Sequence, residues 1–240
     1  MTRRIITLLL LATAISSMAQ GPRDAREWMQ AFAERLSTAK AYHVAAEIQV
    51  MNAAKGKVIM TESSEAYVSE GRSYSQLNGR ITLVNESEFV LVDPEEKTIM
   101  HQARNVEPIS EAAPAVDIKA QMLEALKERS GLMRVLEEDQ GTVTIRVDGG
   151  GVGYSATDVV LSKRDLALQR ITYHVEPGSG DLGKGQKMDR IVVTYTAFEL
   201  DGRIPAERFS SRSYLRTAPN GRVTLSPEYA TYELVEEPGS

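Results

Sequence analysis

Residues 88–101 read EFVLVDPEEKTIMH and carry the clearest structural signature in the chain. Phe89–Val92 is an apolar run of β-favouring residues, and Thr98–His101 resumes the same pattern. Between them, Pro94 fixes φ for the corner of a turn, and the Asp93 side chain can accept a hydrogen bond from the backbone two residues on. The stretch therefore predicts an antiparallel hairpin with a loop of four or five residues.

The same pattern of short strand, polar turn and short strand recurs along most of the chain. Apolar residues alternate through residues 42–51, and residues 207–216 also indicate a strand. Asn78-Gly79 suits a type I′ turn, because both residues tolerate positive φ. Short strands at this spacing, about eleven of them, predict an antiparallel meander or barrel rather than alternating βαβ units.

Two segments are predicted to be helical. In residues 22–40, Trp28, Phe32 and Leu36 form one apolar stripe, and Asp24 is a suitable N-cap. Residues 117–138 are expected to form two short helices, because their apolar residues recur at helical spacing and Ser130-Gly131 interrupts them.

The N-terminus has the organisation of a secretory signal peptide. Residues 1–19 combine two arginines, an apolar stretch and small residues before Gln20. The apolar run is too short for a membrane anchor, which needs about 20 residues. We therefore expect export of one domain, residues 20–240. A net charge of −5 without a basic stripe argues against nucleic acid as a partner. The chain has no cysteine, which removes disulfides, thiol chemistry and the usual bacterial lipid anchor.

The sequence offers little that resembles an active site. It has no Gly-x-Ser-x-Gly motif, and its glycine-rich stretches at 149–153 and 177–187 lack the context of a phosphate-binding loop. His43, His101 and His174 have no metal-ligand spacing, so isolated strand histidines are the simpler interpretation, although convergence on a metal in the fold stays open. We expect no catalytic residue, no metal and no cofactor.

The hairpin at Phe89–Ile99 resembles that of the periplasmic lipoprotein-carrier superfamily, the LolA/LolB-like half-barrels. The layout is similar as well: an export signal, an N-terminal helix, a strand from Tyr42, and a helical insertion at residues 117–138. The resemblance implies an α+β fold: a strongly curved antiparallel sheet, or half-open barrel, with an N-terminal helix and a helical lid insertion.

The resemblance also implies an apolar cavity between the curved sheet and the helices, which is the usual place for a hydrophobic ligand. For each candidate an ordinary core position is the favoured alternative to a place in the cavity wall, because periodicity reports burial and not empty space. The candidates are Ile48, Phe89, Leu91, Ile99, Met122, Leu126, Ile171 and Val193.

Three functions are compatible with these observations. The first is an exported, periplasmic, non-enzymatic carrier or binder of lipid or lipoprotein acyl chains, without a lipid anchor or transmembrane segment. The second is an envelope-associated structural or protein-interaction module with a filled core, which would expose an aromatic patch formed by Tyr214, Tyr229 and Tyr232. The third, an enzyme, has no constellation of residues in its favour.

Overall fold

The computed structural model describes residues 24–52, 55–104, 132–149, 153–182 and 187–237. Helix α1 comprises Ala25–Thr38. Fourteen strands follow within these ranges: β1 Ala41–Asn52, β2 Lys57–Ser69, β3 Arg72–Leu77, β4 Arg80–Val84, β5 Glu88–Asp93, β6 Thr98–Ala103, β7 Met133–Glu138, β8 Thr142–Asp148, β9 Tyr154–Ser162, β10 Leu168–Val175, β11 Arg190–Leu200, β12 Leu215–Thr217, β13 Val223–Leu225 and β14 Glu233–Glu237. Short 3-10 helices are formed by Ala206–Phe209, Ser211–Ser213 and Pro227–Tyr229.

Twelve of these strands form one sheet in the order β14-β6-β5-β4-β3-β2-β1-β11-β10-β9-β8-β7. All neighbours pair antiparallel except β14, which lies parallel to β6. In the part of the chain that the structure describes, β7 and β14 do not pair with each other, so the sheet is half-open rather than a closed barrel. The predicted α+β fold with an antiparallel sheet and an N-terminal helix is confirmed.

Helix α1 forms where its apolar stripe and N-cap predict it. The Asp24 carboxylate accepts a hydrogen bond from Glu27 N at 2.8 Å, which satisfies one free amide of the first turn. Trp28, Phe32 and Leu36 are all buried and pack on one face of the sheet, hereafter the helix face. The buried sheet residues beneath α1 are Val143, Ile145, Val159, Leu161, Leu168 and Ile171.

Local turn chemistry sets the hairpins as predicted. Asp93 Oδ1 accepts a hydrogen bond from Glu95 N at 3.1 Å, and Leu91 pairs with Met100 across β5 and β6. Asn78 and Gly79 have φ values of 52° and 81°, as a type I′ turn requires.

The opposite face, hereafter the tail face, is covered over β2–β6 by the C-terminal segment, residues 201–232, which precedes β14. Phe209, Tyr214 and Leu215 of this segment are buried against it. Their sheet partners are Tyr67, Tyr74, Ile81, Leu83, Val90, Val92 and Ile99.

The prediction of one strand at residues 207–216 is wrong. The chain there forms two 3-10 turns before the short strand β12. The carbonyl of Phe209 accepts a hydrogen bond from Asn85 Nδ2 at 3.1 Å, while the ring packs into the core. Long-range contacts of this kind override a local strand preference.

The predicted helical insertion is also wrong at its C-terminal end. Met133–Glu138 is strand β7, which pairs with β8. Its register shifts between Val135 and Glu137, so that Leu136 is an extra, bulged residue. Met133 and Leu136 are three residues apart in the sequence, a spacing that also fits one face of a helix. The rest of the predicted insertion lies outside the described residues.

Candidate functional site

Three predicted lining residues form one row on the helix face. Ile48 of β1 pairs with Val193 of β11, and Val193 pairs with Ile171 of β10. Directly paired residues of neighbouring strands share a face of the sheet. Ile171 is buried beneath α1, Val193 packs against the same cluster, and Ile48 is half-buried.

The helix face can be followed from β11 and β1 across the sheet to β5. The row that contains Leu91 runs, strand by strand, through Thr82, Ser75, Ala66, Val44 and Phe198. Because Phe198 packs against the cluster beneath α1, Leu91 lies on the helix face. Phe89, two residues earlier on the strand, shares that face. Both side chains are half-buried.

Ile99 does not belong with these residues, and its assignment to the same cavity is corrected by the register. It pairs with Val92, whereas its neighbour Met100 pairs with Leu91. Ile99 therefore points to the tail face, where it is 0% exposed in the core under the C-terminal segment. The other two predicted lining residues, Met122 and Leu126, lie outside the described part of the chain.

Between α1 and β5, the helix face is lined by small side chains. Ala66, Ser75 and Thr82 stand side by side on β2, β3 and β4, and Ser64 extends this trough on β2. All four are half-buried. Small side chains at these positions project less far from the sheet than the larger ones on either side of them. Sequence reasoning missed the trough, because it searched for large apolar residues; a Ser/Thr/Ala alternation on adjacent strands was the available signal.

Apolar side chains are exposed around this trough. Met60 is 46% exposed, Leu77 is 48% exposed and Val235 is 36% exposed. Val235 pairs with Met100 and so extends the row of Leu91 onto β14. All three side chains lie on the helix face of the sheet.

Ionisable groups on this face include the half-buried Glu62, which pairs with Ile48. The Arg80 guanidinium and the Asp93 carboxylate, 3.6 Å apart, form an ion pair on the row next to Leu91. Under α1, burial raises the pKa of Tyr173 and of Tyr195, so both phenols stay neutral at physiological pH.

The histidines lie elsewhere, each beside carboxylates. On the tail face, His43 Nε2 is 3.2 Å from Glu65 Oε1, and His174 Nε2 is 2.7 Å from Asp158 Oδ2. The described residues contain no group of three or more His, Cys, Asp or Glu side chains arranged to hold a metal ion.

The predicted exposed aromatic patch is wrong. Tyr214 is buried, its ring centroid lies 5.6 Å from that of Tyr229, and Tyr229 lies 5.0 Å from Tyr232. Tyr229 and Tyr232 are partly buried against the same core. The three rings attach the C-terminal segment to the sheet rather than facing solvent together.

A separate polar cleft of about 260 Å³ lies on the tail face, where the β4–β5 turn meets the C-terminal segment. Its lining includes Arg72, Asn85, Glu88 and Arg212. Its charged side chains distinguish it from the trough on the other face.

Several solved structures are similar to this chain at low identity. An uncharacterized conserved protein from Thermus thermophilus matches with 10% identity and a TM-score of 0.42, over 88% of this chain and 98% of the other. A LolA superfamily protein from Nitrosomonas europaea matches with 11% identity and a TM-score of 0.29, over 79% and 98%.

The Pseudomonas aeruginosa MucA/MucB complex matches with 12% identity and a TM-score of 0.40, over 83% of this chain and 73% of the other. No family model and no curated protein matches the sequence. The likenesses are of layout alone, so the functional argument rests on the residues of this chain. Within the described ranges, no helix is both long and apolar enough to cross a bilayer.

Proposed function

We propose that this protein is an exported, non-enzymatic carrier or binder of lipid or lipoprotein acyl chains. The observation that carries the proposal is the helix face of β1–β6. There a trough of small side chains is bordered by the half-buried apolar residues Ile48, Phe89 and Leu91. The N-terminal sequence of residues 1–19 supports export.

The proposed acyl-chain contacts follow from the rows of the sheet. Leu91, Met100 and Val235 form one wall, and Ile48 with Val193 forms the other, nearer to α1. Contacts of this kind are non-directional and contribute about 0.8 kcal/mol for each CH₂ removed from water. An acyl chain is therefore a better match to this face than a polar ligand. Ile171 would support the second wall from beneath α1, and Met122 and Leu126 stay predicted contacts.

The test is native mass spectrometry of the protein purified from a bacterial periplasm, followed by organic extraction. We expect a lipid adduct that Leu91→Asp removes, because a carboxylate on the wall would have to lose its hydration beside the chain. Leu182→Asp is the matched control: Leu182 is an exposed leucine on the β10–β11 loop, away from the trough. It should keep the adduct.

Circular dichroism and thermal melting must show that both variants fold. A clean apo mass of the wild-type protein, unchanged by added lipid or acylated peptide, would contradict the carrier proposal. It would leave an envelope protein as the partner. Equal loss of the adduct in Leu91→Asp and Leu182→Asp would contradict the assignment of the site.

A further inference from the structure

In the polar cleft on the tail face, the hydrogen-bond acceptors are already engaged within the protein to a greater extent than the donors. It lies between the start of β3, the β4–β5 turn and the two 3-10 turns of the C-terminal segment. Its charged lining residues are Arg72, Arg212, Glu86 and Glu88. The two arginines and two glutamates give the cleft no net formal charge. Whether it favours an anionic or a cationic ligand therefore depends on which of these groups already bind other groups of the protein.

The buried acceptors of the cleft are engaged. Glu88 Oε1 accepts hydrogen bonds from Ser211 Oγ at 2.6 Å and from Asn85 Nδ2 at 3.2 Å. Glu88 Oε2 lies 3.4 Å from His101 Nε2. The Asn85 side-chain oxygen accepts from the backbone amides of Ser87 and Glu88. These groups hold the turn and the C-terminal segment together and leave little acceptor capacity for a ligand.

The donors of the cleft are not engaged to the same extent. The Arg72 guanidinium stacks 4.9 Å above the Phe209 ring, and its Nη2 donates to Glu70 at 3.3 Å. Its Nε is buried and has no hydrogen-bond partner within the described chain. An unmet buried donor is costly, typically by about 1–3 kcal/mol. The Arg212 side chain makes no hydrogen bond or ion pair to any described residue, and it is exposed at the cleft.

The Glu86 carboxylate faces the unmet Nε of Arg72. Its Oε1 lies 3.5 Å from Arg72 Nε, which is beyond a good hydrogen bond, and its side chain is 69% exposed. An exposed ion pair of this length contributes little and is easily replaced. A ligand oxygen can therefore take the place of Glu86 beside a guanidinium that Phe209 already holds in position.

We propose that this cleft binds a small oxyanion, a carboxylate or phosphate group, between the guanidinium groups of Arg72 and Arg212. Arginine is the side chain best suited to such groups, because its planar fork offers parallel charged hydrogen bonds. The site is on the opposite face from the acyl-chain trough and does not depend on that proposal.

The experiment follows the arginine Nε–Hε signals of the purified protein by ¹H–¹⁵N NMR. Sodium phosphate is titrated at constant pH and ionic strength, and a second titration uses succinate. We expect a saturable shift of the Arg72 signal with at least one of the two anions, and the comparison tells phosphate from carboxylate. Arg212→Gln should weaken the apparent affinity about tenfold, as the loss of a charged hydrogen bond predicts.

Two further variants separate binding from a structural role. Glu86→Gln should tighten binding several-fold, because it removes the competing carboxylate; a purely structural ion pair would not produce this gain. Arg222→Gln, an exposed arginine on the β12–β13 turn, is the control and should leave the affinity unchanged. The proposal is overturned if the Arg72 shift stays linear up to about 10 mM of both anions, ten times the Kd of a weak complex. It is equally overturned if Arg222→Gln weakens binding as much as Arg212→Gln.

Discussion

Gly180 lies at the base of the β10–β11 loop, where two backbone segments touch. Its carbonyl accepts a hydrogen bond from Met188 N at 2.7 Å. A Cβ added to Gly180 would lie 1.8 Å from the Met188 carbonyl oxygen, so any larger residue must separate the two segments. We expect Gly180→Ala to lower the free energy of unfolding by roughly 1–3 kcal/mol, as overpacking does, measured by urea denaturation.

The matched control is Gly202→Ala, because a Cβ there has no contact closer than 3.7 Å. Its effect should stay within about 0.5 kcal/mol, as for most surface substitutions. If both glycine variants unfold at the same urea concentration, the close approach at Gly180 is not a constraint on the fold.

The structural role of a residue could be predicted from the sequence where its partners are close by in the chain. The role of Gly180 could not be predicted in this way. Asp24 caps α1, Asp93 accepts from Glu95 N, and Asn78-Gly79 forms its turn through groups no more than three residues apart. Gly180 is one of several glycines in one loop. Only its contact with Met188, set by the folding of the loop, distinguishes it.

At the scale of elements, three strands are cross-linked by a polar network on the tail face of β8, β9 and β10. Arg146 of β8 donates to both oxygens of Asp158 on β9, at 2.6 and 2.8 Å, and His174 of β10 contributes a third contact at 2.7 Å. Burial opposes ionisation of Asp158, but the hydrogen bonds from Arg146 and His174 outweigh it and hold the pKa of the Asp158 carboxyl below its ordinary value.

Because the pKa of the Asp158 carboxyl is lowered in the folded protein, the stability that this group contributes must decrease as the pH falls. The contribution of Asp158 to stability is fully present above about pH 5 and is lost as the pH falls through its folded-state pKa. We expect Asp158→Asn to cost on the order of 1–3 kcal/mol at pH 7, as for a hydrogen-bonded charge, and much less at pH 3. Urea denaturation at both pH values measures this difference.

The control for this network is Asp148→Asn, which removes an exposed ion pair with Arg134. Exposed pairs contribute about 0–1 kcal/mol, so its effect should be small at either pH. An Asp158→Asn penalty that is the same at pH 3 and pH 7 would mean that the charge of Asp158 is not what stabilises the three strands.

The elements that were predicted incorrectly are those whose form depends on distant partners. The hairpins of β1–β6 follow from alternation and turn residues within a few positions. In strand β7 the apolar residues Met133 and Leu136 are three positions apart, which also fits a helix, and the strand form depends on pairing with β8. The 3-10 turns around Phe209 depend on a core formed by strands more than a hundred residues earlier in the sequence.

At the scale of the whole molecule, the sheet consists of two meanders joined by one long-range pairing. Strands β1–β6 and β7–β11 each follow chain order, and the β1–β11 pair connects them. Local pattern predicts each meander. It does not predict the β1–β11 junction, the parallel addition of β14 or the side on which the C-terminal segment packs, because these depend on contacts between residues far apart in the sequence.

In this arrangement the two faces of the first meander have different roles: the tail face belongs to the core under the C-terminal segment, and the helix face carries the proposed acyl-chain trough. On β6, Ile99 belongs to the core under the C-terminal segment, and the adjacent Met100 belongs to the wall of the proposed acyl-chain trough. We expect Ile99→Ala to lower the free energy of unfolding by roughly 2–5 kcal/mol, because it leaves a cavity in a fully buried site. Met100→Ala should cost about 1 kcal/mol, a typical value for a point substitution.

The two variants should affect the lipid adduct in the opposite order to their effects on stability. Met100→Ala removes a wall contact and should reduce the fraction of protein that carries lipid, whereas Ile99→Ala should keep it at temperatures where the variant is folded. Urea denaturation and native mass spectrometry of the same two samples measure both effects, and each variant is the control for the other. If Ile99→Ala empties the protein of lipid while Met100→Ala does not, the ligand lies beneath the C-terminal segment and the helix face is not the binding surface.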